Sequence, residues 1–370
     1  MKLLMMNRTL KILQRLTSNR IFDALQIEVT SRCNLRCVMC PVTALADHWH
    51  SQHIRWELFL RIARSFEHTK FVHLQGWGEP LLHARFFDMI QVAKEAGCRV
   101  GFTTNGTLLS VLTGQRLLDL KIDLMAVSIA GATSQTHGQI RVGSNLSRIL
   151  NNVHRFLHFR AQRRERGPKV KIFFLMTKTN MAELPRVVDL VATLGADELV
   201  ATNLDYVPTH EQDALRAFGR HALTEEVARV LEEARARAKA VDLAFRSYPL
   251  EPEEVAVCEA NPLKILFVSS DGKVSPCTHM GLAGQTEIPR VFDGKPLSVP
   301  RVYFGDMNEQ ELVEIWNSPA YRAFRQQFEA RRTAGVAWAV AAVAGGSPAS
   351  CKTFPPAPES CQSCPKLFGF

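Results

Sequence analysis

The 370-residue sequence has no apolar run long enough to cross a bilayer, no internal repeat and no recognised nucleic-acid-binding motif. The apolar run Ala334 to Gly346 falls short of the roughly 20 residues that a transmembrane helix needs, so no transmembrane segment is expected. The absence of a repeat argues against a solenoid. The net charge of +9 is modest for this length, and no nucleic-acid partner is expected from it. Part of that charge lies between Arg155 and Lys171, in Arg160, Arg163, Arg164, Arg166 and Lys169. This stretch reads as the solvated end of a helix, with a nucleic-acid or acidic-partner surface as the alternative. No secretory signal precedes the cysteines, which points to a reducing cytoplasm. With 46% hydrophobic and 22% charged residues the chain can build a sizeable core without a disulfide scaffold.

Residues 1–22 read as an amphipathic helix. Met1 to Arg20 hold five basic residues and no acidic one, and Met6, Leu10, Leu13 and Leu16 recur at helical spacing. Packing against the body of the protein is the simplest use of such a helix; a membrane-surface or targeting role is the alternative.

From residue 25 short apolar strands alternate with helical patterns. The strands are Leu25–Thr30, Phe71–Gln75, Arg99–Thr104, Leu124–Ile129, Lys169–Met176 and Glu198–Asn203. Helical spacing falls over 56–67, 84–96, 108–120, 145–163 and 181–194. Regular alternation predicts an α/β fold with a parallel sheet, either a partial barrel or a doubly wound sheet. The rhythm breaks after residue 204. A charged helix over about 222–240 follows, then a hairpin, Ile265–Val268 and Lys273–Ser275 around Ser270-Asp271-Gly272. Helices near 309–317 and 319–331 precede a tail rich in Ala, Gly and Pro. This divides the chain into 1–22, a core over 23–244 and a smaller α+β unit over 245–370.

What the sequence does have is nine cysteines, an odd number, in local groups. Cys33, Cys37 and Cys40 follow the first strand, and Cys351, Cys361 and Cys364 close the chain. Such grouping favours metal ligation over pairing. Three thiolates from one loop can hold three irons of a cubane and leave the fourth open to a small molecule. A structural zinc site is the alternative, but it usually takes four ligands, and no fourth lies nearby.

The segment Cys33-x3-Cys37-x2-Cys40 after a first strand resembles the signature of the radical S-adenosylmethionine (SAM) superfamily. That resemblance implies a partial (β/α)6 TIM barrel and SAM bound to the open iron of a [4Fe-4S] cluster. One electron then cleaves SAM to methionine and a 5′-deoxyadenosyl radical, which abstracts hydrogen from a substrate carbon. A reductant such as flavodoxin or ferredoxin is implied as partner. Gly76-Trp77-Gly78-Glu79-Pro80 resembles the family's GGEP motif, with Trp77 in place of the second glycine. Gly76 and Gly78 let backbone approach the ligand, and Glu79 would accept from the SAM ammonium. Thr104-Asn105-Gly106 is similar to the TNG turn, where Asn105 shapes the site. Ser128-Ile129-Ala130-Gly131 resembles S-[IL]-D-G; Ser128 would touch SAM, and Ala130 replaces the usual acid. Arg141 stands where relatives pair an arginine with the SAM carboxylate, a task suited to a bidentate guanidinium, and Met39 would lend backbone contact near the adenine. A surface salt bridge is the alternative use of Arg141.

Cys258-x13-Gly272-x4-Cys277 together with Cys361-x2-Cys364 resembles the SPASM and shorter twitch domains. The dense cysteine run of a full SPASM domain is missing, which leaves four ligands for one auxiliary [4Fe-4S] cluster: Cys258, Cys277, Cys361 and Cys364. Cys351 is a competing ligand, and zinc is the alternative metal. Cys98 reads as a buried small hydrophobe. His48, His50 and His53 read as part of a loop over the cavity, or as a zinc site. Asn203, Asp205, Tyr206 and His210 follow the sixth strand and could contact substrate or cap a loop.

The resemblance implies an enzyme that oxidises a small molecule or sugar. Two alternatives stand beside it: modification of a peptide or partner protein, and a non-catalytic Fe–S electron carrier or binding protein. The glutamate and arginine of a SAM site speak against the last.

Overall fold

The computed structural model describes residues 20–163, 167–343 and 353–369. The helix expected over 1–22 lies outside the described residues up to residue 19, as do Arg164, Arg166 and Cys351.

Six strands form where the short apolar segments lie: β1 (Phe22–Ile27), β2 (Thr69–Leu74), β3 (Arg99–Thr104), β4 (Leu124–Ile129), β5 (Lys169–Met176) and β6 (Glu198–Asn203). Between them run helices at Trp56–Ala63, Phe86–Glu95, Val111–Asp119, Leu146–Ala161 and Leu184–Leu194. Their starts are set by local chemistry. Ser110 accepts a hydrogen bond from Thr113 N, and Asn145 from Arg148 N, each satisfying an orphan donor of the first turn. A short helix at Ser134–Ile140 was not expected; Thr133 caps it by accepting from Thr136 N.

The six strands pair in sequence order, all parallel. A doubly wound sheet would reverse its order at a switch point. Sequential order without reversal is that of a (β/α) barrel, which decides the choice that pattern left open. The barrel stays partial because the two outer edges of the sheet do not pair with each other; each carries further strands instead. β7 (Ala244–Ser247) pairs parallel with β6, and β8 (Ile265–Val268) pairs parallel with β1. The expected hairpin is β8 with β9 (Lys273–Ser275), paired antiparallel. A ribbon between β10 (Glu287–Phe292) and β11 (Lys295–Pro300) was missed; β12 (Gly305–Asp306) then closes the sheet edge on β9. The expected helix over 319–331 runs instead from Pro319 to Val343. Its extension takes in part of the Ala-rich run, and alanine is the strongest helix former. Among the described residues no helix is long and apolar enough to cross a membrane.

The barrel core is apolar and fully buried, with Phe22, Phe59, Phe86, Phe102 and Phe174 among its largest side chains. A second small core, built from Leu35, Met39, Ala130, Ile140, Leu204 and Val207, lies under the cysteine loop. One buried carboxylate ties the barrel to the C-terminal unit. Glu28 accepts from Trp77 N at 3.1 Å, and from Ser270 N and Oγ at 3.1 and 2.8 Å. Burial raises its pKa despite these bonds, so the junction depends on all three donors.

Candidate active site

A cavity of about 440 Å³ opens at the C-terminal ends of the strands, the face that carries chemistry in α/β barrels. Cys33, Cys37, Met39, Cys40, Gly76, Gly78, Glu79, Asn105, Ser128 and Arg141 all line it. The structure thus brings every residue expected at the first site to one cavity.

The cysteine loop is held from three sides. Cys37 pairs in a short antiparallel ladder with Arg141. Val38 N donates to Ile140 O at 3.0 Å, and Gln212 Nε2 donates to Val38 O at 3.0 Å. Gly78 N donates to Thr30 O and Glu79 N to Arg32 O, which stitches the glycine motif to the start of the loop. A Cβ at Gly78 would run into those same two carbonyl oxygens. Gly78→Ala is therefore expected to push the loop away. Iron bound after anaerobic reconstitution should fall by about half or more, at a stability cost of about 1–3 kcal/mol; colorimetric iron assay and thermal melting check both.

Glu79 is 2% exposed and is engaged largely by the chain itself. It accepts from Thr104 Oγ1 at 2.8 Å, Asn105 N at 2.7 Å and Leu81 N at 3.2 Å. A carboxylate has about four acceptor positions, so one remains. Burial pushes its pKa up to about 7, against those bonds and the Arg141 charge. Asn105 is likewise committed: Nδ2 donates to Asn34 Oδ1 at 2.9 Å, and Oδ1 accepts from Thr107 N and Oγ1. Nδ2 also approaches Cys33 Sγ at 4.0 Å. The TNG turn is a brace between Glu79 and the cysteine loop. Ala130, in place of the acid, is fixed by His137, whose Nδ1 accepts from Ala130 N.

Four buried polar atoms on the cavity wall have no hydrogen-bond partner among the described residues: Arg141 Nε, Trp77 Nε1, His73 Nε2 and Asn203 Oδ1. Burying such groups unpaired is costly, so the wall suits a polar, partly anionic ligand. The three thiols fit a cluster. Burial raises Cys33 and pushes Cys40 up to about 12, and neighbouring thiolates add to this. Bound iron would supply the positive charge that thiolates need. Among the described residues no three or more His, Cys, Asp or Glu side chains converge on a point that would hold a single ion. Thiolates on a cubane each take a different iron and need not converge.

The second group of cysteines also assembles. Cys258, Cys277 and Cys361 each feel the charge of Cys364, which places the four together. Burial pushes Cys258 up to about 12 and Cys277 up to about 11. Cys364 goes the other way: burial would raise it, but a His279 hydrogen bond and the Arg290 charge hold it below the usual thiol value. Cys98 is buried, away from both groups, with its thiol against Phe66 O and Thr69 O.

The two sites adjoin. Asp205, Tyr206, Glu259 and Lys366 line the cavity, and Glu259 and Lys366 flank cysteines of the second group. Against burial, Lys366 Nζ at 2.7 Å and His279 hold Asp205 well below the usual carboxylate range. Tyr206 stacks on His279 with centroids 5.9 Å apart, and Trp77 lies 5.5 Å from Tyr206 and 5.8 Å from His279. Of the residues expected after the sixth strand, Asn203, Asp205 and Tyr206 line the cavity, while His210 is exposed on a short helix capped by Thr209. His48, His50 and His53 do not line it; His50 Nε2 meets Gln52 Oε1, and His53 packs edge-on against His83. His73, Lys171, Tyr248, Glu259 and Lys366 were not expected at the site. A signal existed for two of them: His73 and Lys171 are polar residues between apolar neighbours in the strands, at positions that alternate with the fully buried ones.

Comparison with known proteins matches two family models. Residues 27–159 match the radical SAM superfamily, and residues 258–337 match SPASM, an iron-sulfur cluster-binding domain. The chain is 30% identical over 310 residues to the tungsten-containing aldehyde ferredoxin oxidoreductase cofactor-modifying protein of Pyrococcus furiosus, covering 81% of this chain and 82% of that one. The chain belongs to the radical SAM superfamily. Its cofactors are accordingly SAM and a [4Fe-4S] cluster, with auxiliary iron–sulfur binding in the SPASM part. It is also 24% identical over 304 residues to the PqqA peptide cyclase of Methylorubrum extorquens, covering 80% of this radical SAM enzyme and 73% of that cyclase. The crystal structure of Streptococcus suis SuiB bound to S-adenosylmethionine shares the fold, with a TM-score of 0.62 at 18% identity over 86% of this chain and 72% of that one.

Proposed function

We propose that Cys33, Cys37 and Cys40 hold the SAM-binding cluster and that Arg141 pairs with the SAM carboxylate. Met39, Gly76, Gly78 and Ser128 complete the cradle, Glu79 offers its remaining acceptor position to the SAM ammonium, and Asn105 braces the cysteine loop. The observation that carries this reading is the orphaned Arg141 Nε on the wall shared with the three thiols. The chemistry supplied there is one-electron cleavage of SAM to a 5′-deoxyadenosyl radical able to take hydrogen from an unactivated carbon. The chain's own residues orient SAM, exclude water from the cavity and hold the substrate against it. Cys258, Cys277, Cys361 and Cys364 hold one auxiliary [4Fe-4S] cluster. Residues 23–244 act as the catalytic core and 245–370 as the auxiliary-cluster unit. The described cysteines of both groups are free thiols, which suits a reducing cytoplasm and a flavodoxin- or ferredoxin-like reductant.

The substrate in this proposal is a small molecule, oxidised in the cavity between the two cysteine groups. Shared lining supports it: Tyr248, Glu259 and Lys366 line the same cavity as the cysteine loop, whose volume of about 440 Å³ suits a small molecule. The cofactor-modifying relative agrees with a substrate of that size. A peptide substrate is the second reading, favoured by the peptide cyclase relatives. Iron and sulfide analysis tests the cluster assignment. About eight of each per chain are expected for two cubanes, and about four would remove the auxiliary cluster. Anaerobic incubation with SAM, dithionite and either cofactor-sized compounds or peptides, read by mass loss of two hydrogens, separates the substrate readings.

A further inference from the structure

The four-cysteine site contains a buried cation that no cluster ligand explains. Arg290, on β10 of the unexpected ribbon, is 3% exposed. Its Nη1 donates to Ser360 O at 2.8 Å, one residue before Cys361. Its Nη2 lies 3.5 Å from His279 O and 3.2 Å from Met280 Sδ, just after Cys277. The guanidinium therefore spans two of the three segments that carry cysteine ligands, those of Cys277 and Cys361. Arg290 and Cys364 also border one small cavity of about 10 Å³.

No carboxylate among the described residues pairs with Arg290. The neighbouring acid, Asp205, has Lys366 and His279 as its partners. A guanidinium taken out of water without an anion is expensive. The nearest candidates for a counter-charge are the ligand thiols themselves: Arg290 shares a small cavity with Cys364, and its two terminal nitrogens reach the backbone beside Cys361 and shortly after Cys277. Four thiolates around a cubane carry net negative charge, and each added electron increases it. A fixed cation at the ligand loops favours the reduced form, so it raises the reduction potential.

We infer that Arg290 is the built-in counter-cation of the auxiliary cluster, holding the Cys277 and Cys361 segments together and raising the cluster's reduction potential. This rests on the assignment of that cluster to Cys258, Cys277, Cys361 and Cys364. Arg290 is a positioning residue: it touches the ligand loops and takes no part in bond making.

The test is EPR-monitored redox titration of reconstituted wild-type, Arg290→Gln and Arg290→Lys proteins, with iron counted in each. In Arg290→Gln the ratio of reduced to oxidised auxiliary cluster at a fixed potential should fall about tenfold, or about 59 mV for a one-electron couple. The SAM-binding cluster of the same sample should not move, and Arg290→Lys should stay near wild type. Loss of the auxiliary iron in Arg290→Gln with retention in Arg290→Lys also supports the inference, because charge alone then restores the site. An unchanged potential in fully loaded Arg290→Gln overturns it, as does equal loss of iron in both variants. A wild-type protein with only about four irons would instead defeat the underlying cluster assignment, so the two failures are distinguishable.

Discussion

Protein carrying Cys33→Ala, Cys37→Ala and Cys40→Ala together is expected to form 5′-deoxyadenosine at least about 1,000-fold more slowly than wild type, because the difficult chemistry resides in the cofactor those thiols hold. The same variant should keep about four irons per chain in the second site, whose ligands lie on separate segments of chain. The small core under the loop is made by Leu35, Met39 and their neighbours as much as by the cysteines, so the loss should register in iron and turnover more than in folding. Cleavage at an undiminished rate would show that SAM is handled elsewhere. Chromatographic quantification of 5′-deoxyadenosine beside an iron assay reads both quantities from one sample.

The second large effect concerns Arg141. Its Nε is buried on the cavity wall with no partner among the described residues. A charge-assisted, bidentate pair with a carboxylate is worth about 2–3 kcal/mol in such a place. Arg141→Met should therefore weaken SAM binding on the order of 100-fold. Arg141 makes no salt bridge among the described residues, so its removal should change the melting temperature little. That combination separates a ligand-binding arginine from the surface salt bridge that the sequence also allowed, whose loss would leave SAM affinity alone. Arg141→Lys should recover only part of the affinity, because an ammonium cannot reproduce the planar fork. Equilibrium binding of SAM to the reconstituted protein, with a thermal melt of each variant, measures the effect.

The barrel was legible because each of its six strands is a short apolar run whose neighbours supply helices of crossover length. Strand order was not legible, since pattern says nothing about which strand lies beside which. The first site was legible through motifs fixed to strand ends. The C-terminal half was harder for physical reasons. In the ribbon, Asp293 and Gly294 both adopt positive φ, at 47° and 71°, as a tight hairpin turn requires. Pro289, Pro296 and Pro300 on its strands hid that signal, because proline argues against a paired strand unless the strand lies at an edge. Arg290 was hidden with it. Glu28 stands shortly before the cysteine motif, but its bonds to Trp77 and Ser270 join residues far apart in sequence. Lys366 and Glu259 reach the cavity because the four-cysteine site is folded against the segment after β6, where Asp205 meets Lys366 and His279, a tertiary relation that local pattern does not encode. The long helix through Val343 was cut short because the Ala-rich run was taken for tail, although its helix propensity is high.

The central claim is that the three-thiol loop, Glu79 and Arg141 form one SAM-cleaving site. The most direct test is the yield of 5′-deoxyadenosine from wild-type protein, reconstituted anaerobically with iron and sulfide and given SAM and dithionite. The expected result is 5′-deoxyadenosine formed in step with methionine, dependent on reductant and on bound iron. Protein that carries its full iron and binds SAM yet yields no 5′-deoxyadenosine would contradict it.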